Sequence, residues 1–118
     1  MREIHTTLVA SDGHLLAATL YEPAGRPFAA VQINSATAVP RRYYREYAKF
    51  LSDRGFVVLT YDYRGIGDSK FRGAIAREDI RMLHWGTRDL PAALQYLHER
   101  HPRLPLLTVG HSAGGQML

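Results

Sequence analysis

Three short apolar runs, Phe28 to Ile33, Phe56 to Tyr61 and Leu104 to Val109, constrain the fold of this chain most. Each is continuous rather than alternating, carries β-branched residues and is bounded by chain-turning residues: Pro27 and Asn34, Gly55, and His101-Pro102. A strand with one wet face alternates apolar with polar, so runs without alternation predict strands covered on both faces of a parallel sheet. Helical patterns separate them. Tyr44, Tyr47, Ala48 and Leu51 fall at i, i+3, i+4 and i+7, opposite Arg45, Glu46, Lys49 and Asp53, which predicts an amphipathic helix ended by Gly55. Leu90, Ala93, Leu94 and Leu97 repeat the pattern. Pro91 fits there only in the first helical turn, so the firm part of this helix begins near Thr87, and Lys70 to Gly86 stays ambiguous between loop, extra turn and short helix. At the start, Ile4 to Val9 and Leu15 to Tyr21 flank Ser11-Asp12-Gly13-His14, whose Asp-Gly step predicts an antiparallel hairpin. The expected class is α/β: a mostly parallel sheet, helices on both faces, an opening hairpin, and no domain boundary within residues 1–118.

Composition narrows the function classes. The chain is 46% hydrophobic and 22% charged, within the range of ordinary globular domains. Fifteen Lys and Arg against 11 Asp and Glu give a formal charge of +4. The densest basic stretch, Arg41, Arg42, Arg45, Lys49 and Arg54, is broken by Glu46, Asp53 and tyrosines at apolar helical spacing, so it reads as a solvated helix face rather than a nucleic-acid surface. No cysteine is present, which removes disulfides and thiolate chemistry. Met1 to Thr7 lack the apolar core of a secretory signal, and no apolar run approaches the ~20 residues of a membrane span. A cytoplasmic protein is the expectation.

Gly110-His111-Ser112-Ala113-Gly114 directly follows the third apolar run, and Gly115-Gln116-Met117-Leu118 can open a helix. G-x-S-x-G between strand and helix is the pattern of a nucleophile elbow, a turn so tight that its serine is strained and its flanking segments nearly touch. Glycines belong at 110 and 114 because side chains would clash. Such a turn makes Ser112 the candidate nucleophile and aims the Ala113 N–H at the place where an oxyanion would develop.

Here the chain resembles the α/β-hydrolase superfamily, and within it the serine aminopeptidase and monoacylglycerol-lipase-like branch. The likeness covers the opening hairpin, the loop Asn34-Ser35-Ala36-Thr37, the stretch Tyr61-Asp62-Tyr63-Arg64-Gly65-Ile66-Gly67-Asp68-Ser69, which is similar to the family's D-x-R-G-x-G-x-S turn, and the elbow. The resemblance implies an acyl-enzyme hydrolase of small ester or amide substrates, with Ser112 as nucleophile and no cofactor or metal. It also implies a second oxyanion N–H from the loop after the first buried strand. Alignment points to Ala36, but Asn34-Ser35 stands where many relatives have His-Gly, which leaves Ser35 and Thr37 open as well. Acyl transfer to an alcohol or thiol, and a non-catalytic binding or assembly role, are the rival readings.

Several residues invite chemistry but have plainer explanations. His111 adjoins the nucleophile, yet a neighbour on so tight a turn points its side chain away, so packing is expected of it. Asp62 and Arg64 read as a structural pair pinning their turn with Gly65 and Gly67. His98 and His101 sit at a helix end that favours positive charge, and His5, His14 and His84 show no metal-ligand spacing. Tyr43, Tyr44 and Tyr47 are expected to pack their helix on the sheet rather than to border a substrate pocket.

In this fold the triad runs serine, acid, histidine along the chain. Only Ala113 to Leu118 follow Ser112. The expectation is therefore the N-terminal part of one α/β-hydrolase domain, with its C-terminal half absent and nearly inactive alone, because a serine without a base is a poor nucleophile. The strand Leu104 to Val109 would also keep an unpaired apolar edge, which predicts aggregation or pairing with another chain.

Overall fold

The computed structural model describes residues 1–69 and 82–117. Five strands form one mixed sheet in the order β1-β2-β4-β3-β5. They are β1 Arg2–Val9, β2 Leu15–Glu22, β3 Ala29–Asn34, β4 Phe56–Tyr61 and β5 Leu106–Gly110. β1 with β2 and β2 with β4 run antiparallel, whereas β3 lies parallel to both β4 and β5. The hairpin turn closes with the Ala10 N–H on His14 O and the Gly13 N–H on Ala10 O, and Gly13 takes the positive φ of 88° that the turn demands.

β3 and β4 meet the expectation for covered strands: all of β3 and every residue of β4 except Phe56 are buried. β5 does not. It starts at Leu106 rather than Leu104 because Pro105 has no N–H for a ladder, and it is the sheet's edge among the described residues, so Leu107, Thr108 and Gly110 are exposed. The first apolar run likewise shifts to Ala29–Asn34, with Phe28 left as an exposed ring tilted against Phe56.

Each sheet face carries its own core. On one, Leu16, Leu20, Ala30, Val57, Leu59 and Tyr61 meet Trp85, Ala93 and Leu97 from the helical residues 82–100. On the other, Tyr21, Val31, Ile33 and Val58 meet Tyr44 and Ala48. Successive residues of β3 and β4 divide between these faces, as strand geometry requires.

A short 3₁₀ turn, Arg41–Tyr44, leads into α1, Arg45–Asp53, and Gly55 ends it at φ 96°. The tighter turn puts Tyr44 out of phase with the helix behind it. Tyr44 and Ala48 are therefore buried as expected, but Tyr47 is 45% exposed, and Ser52 is buried in its stead. Residues 70–81 of the ambiguous stretch lie outside the described residues. From Met82 the chain is helical: α2, Met82–His84, a π turn at Trp85–Asp89, and α3, Leu90–Arg100, with Pro91 in its first turn. The π turn leaves Asp89 fully buried.

Asp62 and Arg64 do not pair with each other, contrary to expectation. Asp62 accepts the Arg41 N–H at 2.6 Å, the Arg41 guanidinium and the Asp68 N–H at 3.0 Å, while Ser69 Oγ bridges Asp62 O and the Ala17 N–H. Gly67, at φ 53°, has the Asp62 carboxylate where a Cβ would go. Arg64 is buried and turns to the other sheet face, where its Nε and Nη2 meet Asp89 at 2.8 and 2.7 Å and its Nη groups meet Asp12 at 2.6 and 3.0 Å. Alternate side chains on an extended segment point to opposite faces, so residues two apart share a face only while the strand continues. The strand ends at Tyr61, and the turn that follows separates the two partners.

Candidate active site

β5 ends at Gly110 and α4, Ala113–Gln116, begins two residues later, so His111 and Ser112 alone reverse the chain. Ser112 pays in strain, at φ 56° and ψ −114°, a conformation that costs a non-glycine residue roughly 1–3 kcal/mol. Packing enforces it. A Cβ on Gly110 would collide with the Gly115 backbone, and one on Gly114 would collide with the carbonyls of Asn34 and Ser35. The His111 N–H donates to Asn34 O at 3.1 Å, which fastens the elbow to the end of β3. Ser112 O accepts the N–H groups of Gly115 and Gln116 at 3.0 and 3.2 Å, and the Ser112 hydroxyl makes no cap bond, leaving an exposed serine at the carboxyl edge of the sheet. Ala113 occupies the first helical position, where an N–H has no intrahelical acceptor.

The loop after β3 faces this turn. Asn34, Ser35 and Ala36 are buried, whereas Thr37 is exposed. Two tyrosines brace it from β4 and its following turn: Tyr61 Oη donates to Asn34 Oδ1 at 2.5 Å and Tyr63 Oη to Ser35 O at 2.8 Å. Burial first, and then proximity to Tyr63, pushes the Tyr61 hydroxyl well above the usual tyrosine range; burial does the same for Tyr63. Both therefore remain protonated donors. Gln32 Nε2 adds bonds to Asn34 Oδ1 at 2.9 Å and to Leu90 O at 3.2 Å. Asn34 Nδ2, Ser35 Oγ and Gln32 Oε1 are buried without a partner.

The Ala36 N–H is engaged. It donates to Tyr44 Oη at 2.9 Å, and the same hydroxyl lies 2.9 Å from His111 Nδ1. The rings of Tyr44 and His111 meet edge to face at 5.9 Å. The Tyr44 hydroxyl thereby joins the loop after β3 to the elbow, where His111, expected to pack, is exposed and bonded to it, and Tyr44, expected only to pack its helix on the sheet, makes a polar link as well. A signal for it existed: a tyrosine ring on a buried helix face must find a partner for its hydroxyl.

A strand-turn-helix serine above a mixed sheet with helices on both faces defines an α/β-hydrolase fold. The family model for serine aminopeptidase, S33, matches residues 25–118, and the chain belongs to that hydrolase family. It is 27% identical to monoglyceride lipase from Homo sapiens over 108 residues, 92% of this chain and 34% of that protein, and equally to the Rattus norvegicus enzyme. A solved lipase in open form is 28% identical, with a TM-score of 0.75 over 98% of this chain and 38% of its own. A carboxyl esterase from Bacillus coagulans shares the fold at TM-score 0.81 and 22% identity, over 99% of this chain and 38% of its own. The chain spans about a third of the length of the curated relatives it matches. No described helix is long and apolar enough to cross a membrane.

Proposed function

We propose that Ser112 is the nucleophile of an ester hydrolase that works through an acyl-enzyme. The observation that carries this is the backbone of Ser112, held at positive φ between two glycines that contact cannot allow to be anything larger. In the reaction Ser112 Oγ bonds to the substrate carbonyl carbon, the carbonyl electron pair moves to oxygen, and the alcohol leaves with the proton that a base took from the serine. Water then repeats the sequence and frees the acid. The Ala113 N–H is one donor to the transient oxyanion, and the loop of Asn34 to Thr37 supplies the other.

The relatives carry names of ester-cleaving enzymes, monoglyceride lipase and carboxyl esterase, which favours esters over amides as the substrate class. No acid followed by histidine stands after Ser112 in these residues, so the reading puts the base and its orienting acid outside residues 1–118.

The test is covalent labelling of the full protein with a fluorophosphonate, in which P–F breaks as the serine oxygen bonds to phosphorus. Labelling of the parent protein with none in Ser112→Ala is expected. Equal labelling of the two would overturn the assignment.

A further inference from the structure

We infer that Gln32 is a positioning residue for the site proposed above: anchored on the Leu90 carbonyl, it orients the Asn34 side chain and so holds the end of β3 against the elbow. The inference rests on Ser112 being the nucleophile. Asn34 is the residue through which β3 meets the elbow. It stands opposite Gly110 in the parallel ladder, its carbonyl accepts the His111 N–H at 3.1 Å, and the same carbonyl lies where a Cβ on Gly114 would go. Residues on both sides of Ser112 therefore take their place from Asn34. A shift there carries the serine hydroxyl with it, and misplacing a reacting group by about 1 Å can cost about 100-fold in rate.

One anchor decides the orientation of the whole set. Leu90 O can only accept, so the Gln32 amide atom 3.2 Å from it is the nitrogen. That nitrogen has only protons to offer, so the Asn34 atom 2.9 Å away is the oxygen, and Tyr61 Oη, 2.5 Å from the same oxygen, must donate. Without Gln32 the Asn34 amide would be free to turn over and offer its NH₂ group to Tyr61 Oη, which accepts as readily as it donates. Gln32 removes that second state. Stability does not account for the residue. Gln32 Oε1 is buried without a partner, which is unfavourable, and Ala30, two residues earlier on the same side of β3, joins the apolar core directly. An apolar side chain at position 32 would orphan nothing. The Leu90 carbonyl opens α3 and keeps the helical N–H of the next turn, and Asn34 Oδ1 keeps Tyr61.

The experiment is the rate of phosphonylation of Ser112 by a fluorophosphonate in the full protein, expressed per folded molecule, with the urea midpoint measured beside it. Gln32→Met keeps the length of the side chain but has no N–H, and Gln32→Leu, shorter and equally unable to donate, serves as the second variant. The urea midpoint should equal or exceed the parent's, while labelling slows on the order of 10-fold, short of the loss from a full displacement of the serine. Asn34→Ala should slow labelling too. Adding Gln32→Met to it should slow labelling no further, because a residue that acts only through Asn34 then has nothing left to act on. A side chain that merely fills the core produces no such coupling. Gln32 variants that label at the parent rate, or losses that multiply in the double variant, overturn the inference while leaving Ser112 as nucleophile. A parent protein that does not label at Ser112 overturns both.

Discussion

Two turns at the same edge of the sheet treat their polar groups in opposite ways. In the turn after β4, polar groups are spent on holding the chain reversal: the Asp62 carboxylate takes two N–H groups and a guanidinium, Ser69 Oγ joins Asp62 O to the Ala17 N–H of β2, and the Trp85 indole N–H closes on Arg64 O at 3.1 Å. In the loop and elbow facing each other across Gly114, Asn34 Nδ2 and Ser35 Oγ are buried without partners, Ser112 is strained, and its hydroxyl caps nothing. The first arrangement maximises stability. The second keeps side-chain donors and the proposed nucleophile uncommitted, at a cost the first helps to offset through Tyr63, which stacks on Trp85 at 4.9 Å and still reaches Ser35 O.

If that division is right, damage to the β4 turn lowers stability first, and damage to the elbow lowers reactivity first. The largest stability loss is expected from Arg64→Ala. Asp89 is fully buried and its carboxylate faces the Arg64 guanidinium at 2.7 Å, so truncation leaves an uncompensated charge, which costs about 3–5 kcal/mol in comparable sites. Urea unfolding of this chain measures it. A loss below about 1 kcal/mol would mean that the cluster is not the brace described here.

Gly114→Ala comes next. Its methyl group must enter the carbonyls at the end of β3, and overpacking of this kind costs roughly 1–3 kcal/mol. The stability loss is smaller than for Arg64→Ala, but Ser112 labelling in the full protein should fall far more than the folded fraction does. Labelling that merely tracks the folded fraction would erase the contrast between the two turns.

A gentler probe of the brace is acid. Hydrogen bonds from Arg64, outweighing the effect of burial, and then from Arg88, hold the Asp12 carboxyl well below its usual value of 3.8. The unfolded chain therefore binds a proton at higher pH than the folded one does. Asp12 contributes its full stabilisation above pH 3.8, and that contribution drains away as pH falls below that value toward the depressed one. In Asp12→Asn the slope of unfolding free energy against pH in this range should be shallower than in the parent, as followed by urea titrations at several acid pH values.

Much of this contrast was legible in the residues, for a definite reason. Strands β3 and β4, the hairpin at Gly13, the place of Pro91 and the steric need for Gly110 and Gly114 all follow from local rules, in which a residue's neighbours in sequence decide its conformation. What escaped depends on distant partners. Asp12, Arg64 and Asp89 are brought together across 52 and 25 positions, and Tyr44 meets His111 across 67. Local pattern also misled where two helical geometries join: the 3₁₀ turn before α1 shifted the apolar stripe away from Tyr47, and the π turn before α3 buried Asp89. β5 read as covered on both faces from its apolar content, yet its place at the sheet's edge, an unpaired side that the sequence also predicts, leaves Leu107 and Thr108 exposed.

The smallest effect tests whether the brace is specific to the buried cluster or shared by every ion pair on the molecule. Arg45 on α1 meets Glu3 of β1 at 3.1 Å, within ion-pair range though longer than the contacts around Arg64, and the Glu3 carboxylate, by hydrogen bond and then by charge, pushes the guanidinium up from its usual value. The Arg45 side chain is 47% exposed, however, so water and salt screen the pair, and holding a long side chain still offsets part of the gain. Arg45→Ala should change the urea midpoint little, far less than Arg64→Ala does, and 1 M salt should shrink even that difference. A loss comparable to that of Arg64→Ala would show that pairing geometry, rather than burial of the partners, decides what an ion pair contributes in this fold.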